Sequence, residues 1–102
     1  MRIISRTRLK EFWAKHRDAE RPLTHWYDLT RRAMWRHPAD VRRTFGPTDF
    51  VKVASGNTIA VFDVGGNNYR LIAAIHYDRQ RVFVLRVLSH PEYDRRKWVD
   101  EL

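Results

Sequence analysis

The chain has 102 residues and no cysteine, which allows one domain with a single hydrophobic core and excludes disulfides and thiolate metal ligands. Lys and Arg number 20 against 12 Asp and Glu, giving a net charge of +8, and such a surface favours polyanionic partners. No apolar run approaches the ~20 residues of a membrane-spanning helix, and the N-terminal residues lack the apolar core of a secretory signal. We therefore expect one soluble, cytoplasmic domain over residues 1–102 that does not engage a membrane.

The N-terminal half is predicted to combine a short strand with helices. Residues 2–4 are β-prone, and apolar residues at helical spacing predict an amphipathic helix over residues 7–18. A second helix is expected over residues 22–36, because proline is favoured in a first helical turn and the His37-Pro38 step disfavours continuation. A further helical turn is expected over residues 39–45. The second helix is predicted to bury Leu23, Trp26, Thr30, Ala33 and Met34.

The C-terminal half is rich in Val, Ile, Phe and Tyr in short runs that are separated by turn residues, a pattern typical of strands. The connections are too short for helical crossovers, so neighbouring strands are expected to be antiparallel. A short helix is expected to begin near Ser89. The predicted fold class is therefore α+β, with N-terminal helices on one side of a mainly antiparallel, curled sheet and a short C-terminal helix. The predicted strands cover residues 50–54, 58–64, 68–76 and 81–88.

The segment from Ser89 to Asp94 carries a helix-start pattern. Ser89 followed three residues later by Glu92 is a capping box, and proline is tolerated in the first turn. His90 and Tyr93 are three residues apart and therefore lie on one face of such a helix. Two interpretations remain open. In the first, the segment is only a helix cap, Tyr93 packs against the fold and His90 is an ordinary surface residue; in the second, the helix start presents His90 and Tyr93 to a ligand.

Three of the cations in the predicted strands are candidates for a functional role. Arg70 and Arg86 lie in apolar strands, where an unpaired charge is costly to bury, so each is expected either to face a cleft that receives an anion or to pair with Asp63 or Glu92. Lys52 has the same ambiguity, with a solvated lysine as the simpler interpretation.

The sequence offers no support for a metal or cofactor site. The histidines other than His90 contain no pair at metal-ligand spacing. They are His16, His25, His37 and His76. The glycine-containing stretch from Asp63 to Asn68 is followed by a strand and not by a helix, so it predicts a hairpin turn and not a phosphate-binding loop.

Three segments taken together resemble the HigB family of type II toxins. They are Trp26-Tyr27 in the second helix, FDVGGNNYRLIA at residues 62–73 and VLSHPEYDRRKW at residues 87–98. The resemblance covers essentially the whole chain, and the two longer motifs have the order and separation of the family. Asp63 stands where Asn is usual, and Ser89 stands where Thr is more common.

The resemblance implies a RelE-like α+β fold and an endoribonuclease that cuts mRNA, usually on the translating ribosome. It also implies a HigA-type helix-turn-helix antitoxin, through which any contact with DNA would be indirect. Because RNA supplies a 2′-OH nucleophile, the enzyme needs a proton-transfer group and a cation for the phosphorane but no metal or cofactor. The catalytic candidates are Arg70 for the phosphate, His90 as base or acid, and Tyr93 for proton transfer or stacking. The candidate substrate contacts are Lys52, Asn67, Asn68, Arg86 and Asp94.

Two other functions are weighed against the endonuclease. A non-catalytic basic module that binds RNA or ribosomes would explain the charge without any chemistry. A DNA-binding regulator is disfavoured because no recognition helix followed by a dimerisation segment is present.

Overall fold

The computed structural model describes residues 1–102 as one five-stranded sheet with helices on both faces. The strand order is β1-β5-β4-β3-β2; β1 is parallel to β5, and all other neighbours are antiparallel. The strands are β1 (Arg2–Ile4), β2 (Asp49–Lys52), β3 (Thr58–Val64), β4 (Tyr69–His76) and β5 (Arg81–Ser89). The helices are α1 (Arg6–Lys15), α2 (Glu20–Arg32), α3 (Pro38–Thr44), α4 (His90–Asp94) and α5 (Lys97–Glu101), with a 3₁₀ turn at Arg17–Ala19.

The larger core lies between α1, α2, α3 and one face of the sheet, called here the helix face. Alternate residues of the strands point to this face, so β4 buries Leu71 and Ala73 there. Trp26 and Trp35 pack around Phe62 with ring centroids 5.4 and 6.2 Å from it. Each fully buried large side chain contributes about 1.5–3 kcal/mol relative to exposure, so this layer holds the helices on the sheet.

The opposite face of the sheet, called here the open face, has a smaller core. Ile59, Val61 and Ile72 of the strands pack there with Val53 and with Trp98 of α5. Only the two short C-terminal helices cover this side. Asp63 and Arg70, which lie two positions from Val61 and Ile72 on the same strands, therefore point to the open face.

The turn between β3 and β4 depends on glycine. Gly65 and Gly66 have φ values of +65° and +68°, a region that side chains with a Cβ rarely adopt. The two glycines let the chain reverse so that β3 and β4 pair antiparallel up to the Val64–Tyr69 position. This turn places Asn67 and Asn68 at the end of the sheet, beside the start of α4.

Most predicted elements of the chain are confirmed within one or two residues, and the α+β arrangement is confirmed. The helix predicted over residues 7–18 ends earlier, at Lys15, and continues as the 3₁₀ turn. Strand β2 covers Asp49–Lys52 and not residues 50–54. Helix α5 was not predicted and contributes the buried Trp98. None of the helices combines the length and the hydrophobicity that a membrane-spanning helix needs.

The predicted end of the second helix is wrong. Helix α2 ends at Arg32, Ala33 adopts an extended conformation, and Met34 is 71% exposed although it was predicted to be buried. The N-terminal ammonium group donates to the Ala33 carbonyl at 2.6 Å, and the Gln80 amide donates to the Trp35 carbonyl. The extended chain buries Trp35 instead, and its indole N–H donates to Thr44. A buried tryptophan removes more apolar surface from water than a methionine.

Candidate active site

The pairing register of β3 and β4 places Arg70 beside Asp63 on the open face. The Arg70 Nε lies 3.1 Å from Asp63 Oδ1, and the Arg70 side chain is 11% exposed. One Nη1 proton is donated to the Tyr69 carbonyl at 3.1 Å. A guanidinium group has five N–H donors, so the Nη2 end keeps its donors for a ligand. The ion pair and the anion-binding role considered for Arg70 are therefore compatible.

Tyr93 of α4 lies over this guanidinium group. The Arg70 Cζ is 5.5 Å from the centroid of the Tyr93 ring, which is within cation–π range. The Tyr93 ring also stacks on Trp98, with centroids 5.1 Å apart, and the Trp98 indole N–H donates to the Tyr93 carbonyl. The Tyr93 hydroxyl forms no hydrogen bond within the protein. The ring is thus held by Arg70 and Trp98 while its hydroxyl is free.

His90 begins α4, three residues before Tyr93, and is fixed there by its backbone and its side chain. Its N–H donates to the Asn68 carbonyl at 3.0 Å, which joins the start of α4 to the β3–β4 turn. Its Nδ1 lies 2.9 Å from Asp94 Oδ2, and about half of each side chain is exposed. A proton on Nδ1 satisfies this contact and leaves Nε2 free to exchange a proton with a substrate.

The predicted capping box at the start of α4 is present. Glu92 Oε1 accepts from the Ser89 N–H and from its hydroxyl, and the Glu92 N–H donates to the same hydroxyl oxygen. The hydrogen bond from the Ser89 hydroxyl, followed by the bond from its N–H, lowers the pKa of Glu92 below 4.5. Glu92 is therefore used by the cap and is not the ion-pair partner of Arg86.

We expect Ser89→Ala to lower the free energy of unfolding by about 1 kcal/mol near neutral pH, because it leaves helix-start donors unpaired. Since the folded pKa of Glu92 is depressed, its contribution is present above the unfolded value and is lost as the pH falls through the folded value. Urea unfolding at neutral and acidic pH measures this difference. Ser55→Ala, in an exposed turn, is the matched control. A difference that persists undiminished in acid would contradict the role of Glu92.

The remaining predicted contacts lie at different distances from this group. Asn67 and Asn68 are exposed in the β3–β4 turn. Arg86 is on the open face opposite Ile72, next to a β-bulge, and its Nη1 donates to the Leu85 carbonyl. It borders a small cleft with Arg95, Lys97 and Trp98. The structure therefore places Arg86 at the margin of the site.

Lys52 lies apart from the other candidates. It pairs with Thr58, which shares the helix face with Ala60, and Thr58 is five residues along β3 from Asp63. At about 3.3 Å per residue this corresponds to roughly 17 Å, on the opposite face of the sheet. The largest cavity, about 460 Å³, is also on the helix face and contains none of the candidate residues. We therefore leave Lys52 out of the site.

Two residues of the site were not recognised from the sequence as parts of it. Asp63 was considered only as an alternative partner and as a departure from the family, whereas it holds the guanidinium group of Arg70. Trp98 was not considered, although a tryptophan at the end of a charged run is a signal of a buried anchor. The Trp98 ring stacks on the Tyr93 ring and so helps to hold it in place.

Comparison with known families identifies the chain. The profile of HigB toxins, described as the RelE-like toxic component of a toxin–antitoxin system, matches residues 19–96. The chain belongs to the HigB family. The HigB match begins at the 3₁₀ turn and ends after α4, so it contains Asp63, Arg70, His90 and Tyr93. As a toxic component of such a system, the chain has an antitoxin as its partner.

Curated HigB relatives extend the similarity over nearly the whole chain. A protein named mRNA interferase HigB from Escherichia coli O6:H1 (strain CFT073) is 34% identical over 95 residues, covering 93% of this chain and 90% of that protein. The mRNA interferase toxin HigB of Escherichia coli K12 is 26% identical over 94 residues, covering 92% and 88%. The Shigella flexneri mRNA interferase HigB has the same identity and coverage.

Proposed function

We propose that this protein is an endoribonuclease that cuts mRNA on the ribosome without a metal ion and thereby inhibits translation and growth. Membership in a toxin family and the names of its relatives support the reaction class. The observation that carries the proposal is that Tyr93 lies over the Arg70 guanidinium group, while the His90–Asp94 pair belongs to the same short helix as Tyr93. These are the cation and proton-transfer groups that RNA cleavage by its own 2′-OH requires.

The reaction begins with attack of the 2′-oxygen on the adjacent phosphorus atom. One group removes the 2′-OH proton, the P–O5′ bond breaks, and a second group returns a proton to the departing 5′-oxygen. The products are a 2′,3′-cyclic phosphate and a 5′-hydroxyl. No oxidant, reductant or external nucleophile is consumed.

The residues divide this work by their geometry. The free Nη2 end of Arg70 donates to the equatorial oxygens of the phosphorane, because charge-assisted bonds from a guanidinium group suit phosphate geometry. His90 transfers a proton through Nε2 while Asp94 holds Nδ1. The Tyr93 hydroxyl is placed to transfer the second proton. Asn67, Asn68 and Arg86 at the margin contact the flanking nucleotides.

A direct test incubates the purified protein with translating ribosomes and with free mRNA, and maps the new RNA ends. We expect cuts on ribosome-bound mRNA whose upstream fragments end in a 2′,3′-cyclic phosphate. Binding without new ends would favour the basic RNA- or ribosome-binding module. For the free mRNA, cleavage that disappears on addition of a metal chelator would contradict a metal-independent reaction.

We expect Tyr93→Phe to lower the single-turnover cleavage rate by about 10²-fold if the hydroxyl transfers a proton. The ring remains between Arg70 and Trp98 in this variant, so the melting temperature and RNA affinity should be unchanged. Tyr93→Ala is the comparison, because it also removes the ring that lies over Arg70. Near wild-type activity of Tyr93→Phe would limit Tyr93 to stacking and positioning.

The antitoxin is expected to be an acidic HigA-type helix-turn-helix protein. A surface of net charge +8 attracts an oppositely charged partner and accelerates its association. The rate of complex formation should therefore fall steeply with salt, as measured by stopped-flow fluorescence. An association rate that is independent of salt would contradict charge steering, and failure of the neighbouring gene product to relieve toxicity would contradict the partner.

A further inference from the structure

Three basic side chains lie in one row at the end of the sheet remote from Arg70. Arg2 of β1 is the register partner of Arg81 of β5, and Arg81 is the partner of His76 of β4. Register partners on neighbouring strands point to the same face. His76 lies on the open face, two positions from Ala74 and four from Ile72. The row therefore shares a face with Arg70.

Neither arginine of this row forms an ion pair with a carboxylate. Like charges directly opposite each other on neighbouring strands are destabilising. The row therefore does not strengthen the fold, and its two guanidinium groups are free to bind an anion from solution.

Aromatic rings lie beside the row. Phe83 is two residues from Arg81 on β5, and its ring centroid is 5.0 Å from that of His76. His76 also borders an open-face cavity of about 340 Å³, whose apolar lining includes Ile59, Leu85 and Leu102. A volume of this size is within the range of small-molecule sites. His76 is exposed and Phe83 is half-buried, and guanidinium groups next to accessible aromatic rings are the combination that binds the phosphates and bases of single-stranded RNA.

We propose that Arg2, Arg81, His76 and Phe83, here called the distal cluster, bind a nucleotide of the RNA strand that is cleaved at Arg70. The two arginines hold a phosphate, and the base rests against the rings and the cavity. His76 is six positions along β4 from Arg70, and at about 3.3 Å per position this corresponds to about 20 Å along the open face. A single strand of a few nucleotides spans this distance. The inference rests on the proposed function.

An acidic protein segment is the competing ligand for a basic row, but two observations favour RNA. The distal cluster shares the open face with the candidate active site, so one extended strand reaches both. The rings and the cavity supply stacking and apolar contact for a base, whereas a carboxylate needs only the arginines.

The test compares Arg2→Ala/Arg81→Ala with Arg31→Ala/Arg32→Ala in the full chain. The second pair removes the same charge from two exposed arginines of α2, behind the helix face. Affinity is measured for RNAs of about two and about twelve nucleotides, each with a 2′-deoxy sugar at the scissile position to prevent cleavage, because only the longer RNA spans both places. Phe83→Leu tests the ring while retaining apolar volume.

We expect Arg2→Ala/Arg81→Ala to weaken binding of the longer RNA by about tenfold or more and to leave the short RNA unaffected. The log–log salt slope for the longer RNA should fall by about 0.7, since the phosphate contact that the two arginines share is lost and each such contact contributes about 0.7. Phe83→Leu should lower the affinity for the longer RNA by about fivefold or more. The control variant Arg31→Ala/Arg32→Ala should bind both RNAs with the affinity of the wild type.

Equal weakening by both double variants would overturn the proposal, because it would reflect total charge alone. Unchanged RNA binding with loss of antitoxin binding would also overturn it and assign the row to the protein partner. Both results leave the proposed function intact if the wild type still cleaves mRNA. Absence of cleavage by the wild type, with length-dependent RNA binding that needs the distal cluster, would contradict the proposed function alone.

Discussion

We expect Arg70→Ala to lower the single-turnover rate of mRNA cleavage on programmed ribosomes by about 10²- to 10³-fold. Loss of one preorganised donor to a developing negative charge typically costs about 3–4 kcal/mol of transition-state stabilisation. We propose that the free Nη2 end of Arg70 is that donor. The rate is measured with ribosomes in excess, so that product release does not contribute.

The stability of the Arg70 variants must be followed separately, because the Arg70 side chain is only 11% exposed and pairs with Asp63. Its removal leaves a partly buried carboxylate and should cost about 1–2 kcal/mol of folding free energy. Asp63→Asn is the matched control, since it breaks the ion pair but retains the guanidinium group. If Asp63→Asn were as inactive as Arg70→Ala, the loss would reflect positioning and not stabilisation of the phosphorane.

We expect His90→Gln to lower the same rate by about 10²- to 10⁴-fold, because glutamine retains hydrogen bonding but cannot exchange a proton. Circular dichroism and thermal melting should show a folded protein, since about half of the His90 side chain is exposed.

Asp94→Asn separates positioning from proton transfer at His90. The amide still reaches Nδ1 but no longer supplies a negative charge, so we expect a smaller loss than for His90→Gln. If Arg70→Ala and His90→Gln both cleave at near wild-type rates while folded, the proposed site is wrong. Arg86 is then the next residue to test, because Lys52 lies on the other face of the sheet.

Local signals explain how much of the site was predictable. The Ser89–Glu92 capping box and the spacing of His90 and Tyr93 involve neighbours within one helical turn, so the sequence alone predicts their arrangement. The partner of Arg70 was left open between an ion pair and a ligand. Whether Arg70 forms an ion pair depends on the register of β3 and β4, which sets Asp63 opposite Arg70. No local sequence pattern encodes this register.

Where the fold was mispredicted, tertiary contacts overrode a local preference. Helical spacing continues through Met34, but the chain leaves the helix at Ala33 and buries Trp35 against Phe62. The competing interactions come from the N-terminus and from Gln80, which are distant along the chain. A periodicity argument contains no information about such partners.

By itself the sequence determined the α+β class, the meander of β2 to β5, the capped start of α4 and the family resemblance. These features depend on residue composition, on alternation and on turn residues close together in the chain. The tertiary structure decided which residues meet: Asp63 with Arg70, Trp98 beneath Tyr93, and β1 parallel to the start of β5. It also placed Lys52 on the face opposite Arg70, because shifting one residue along a strand reverses the direction of a side chain.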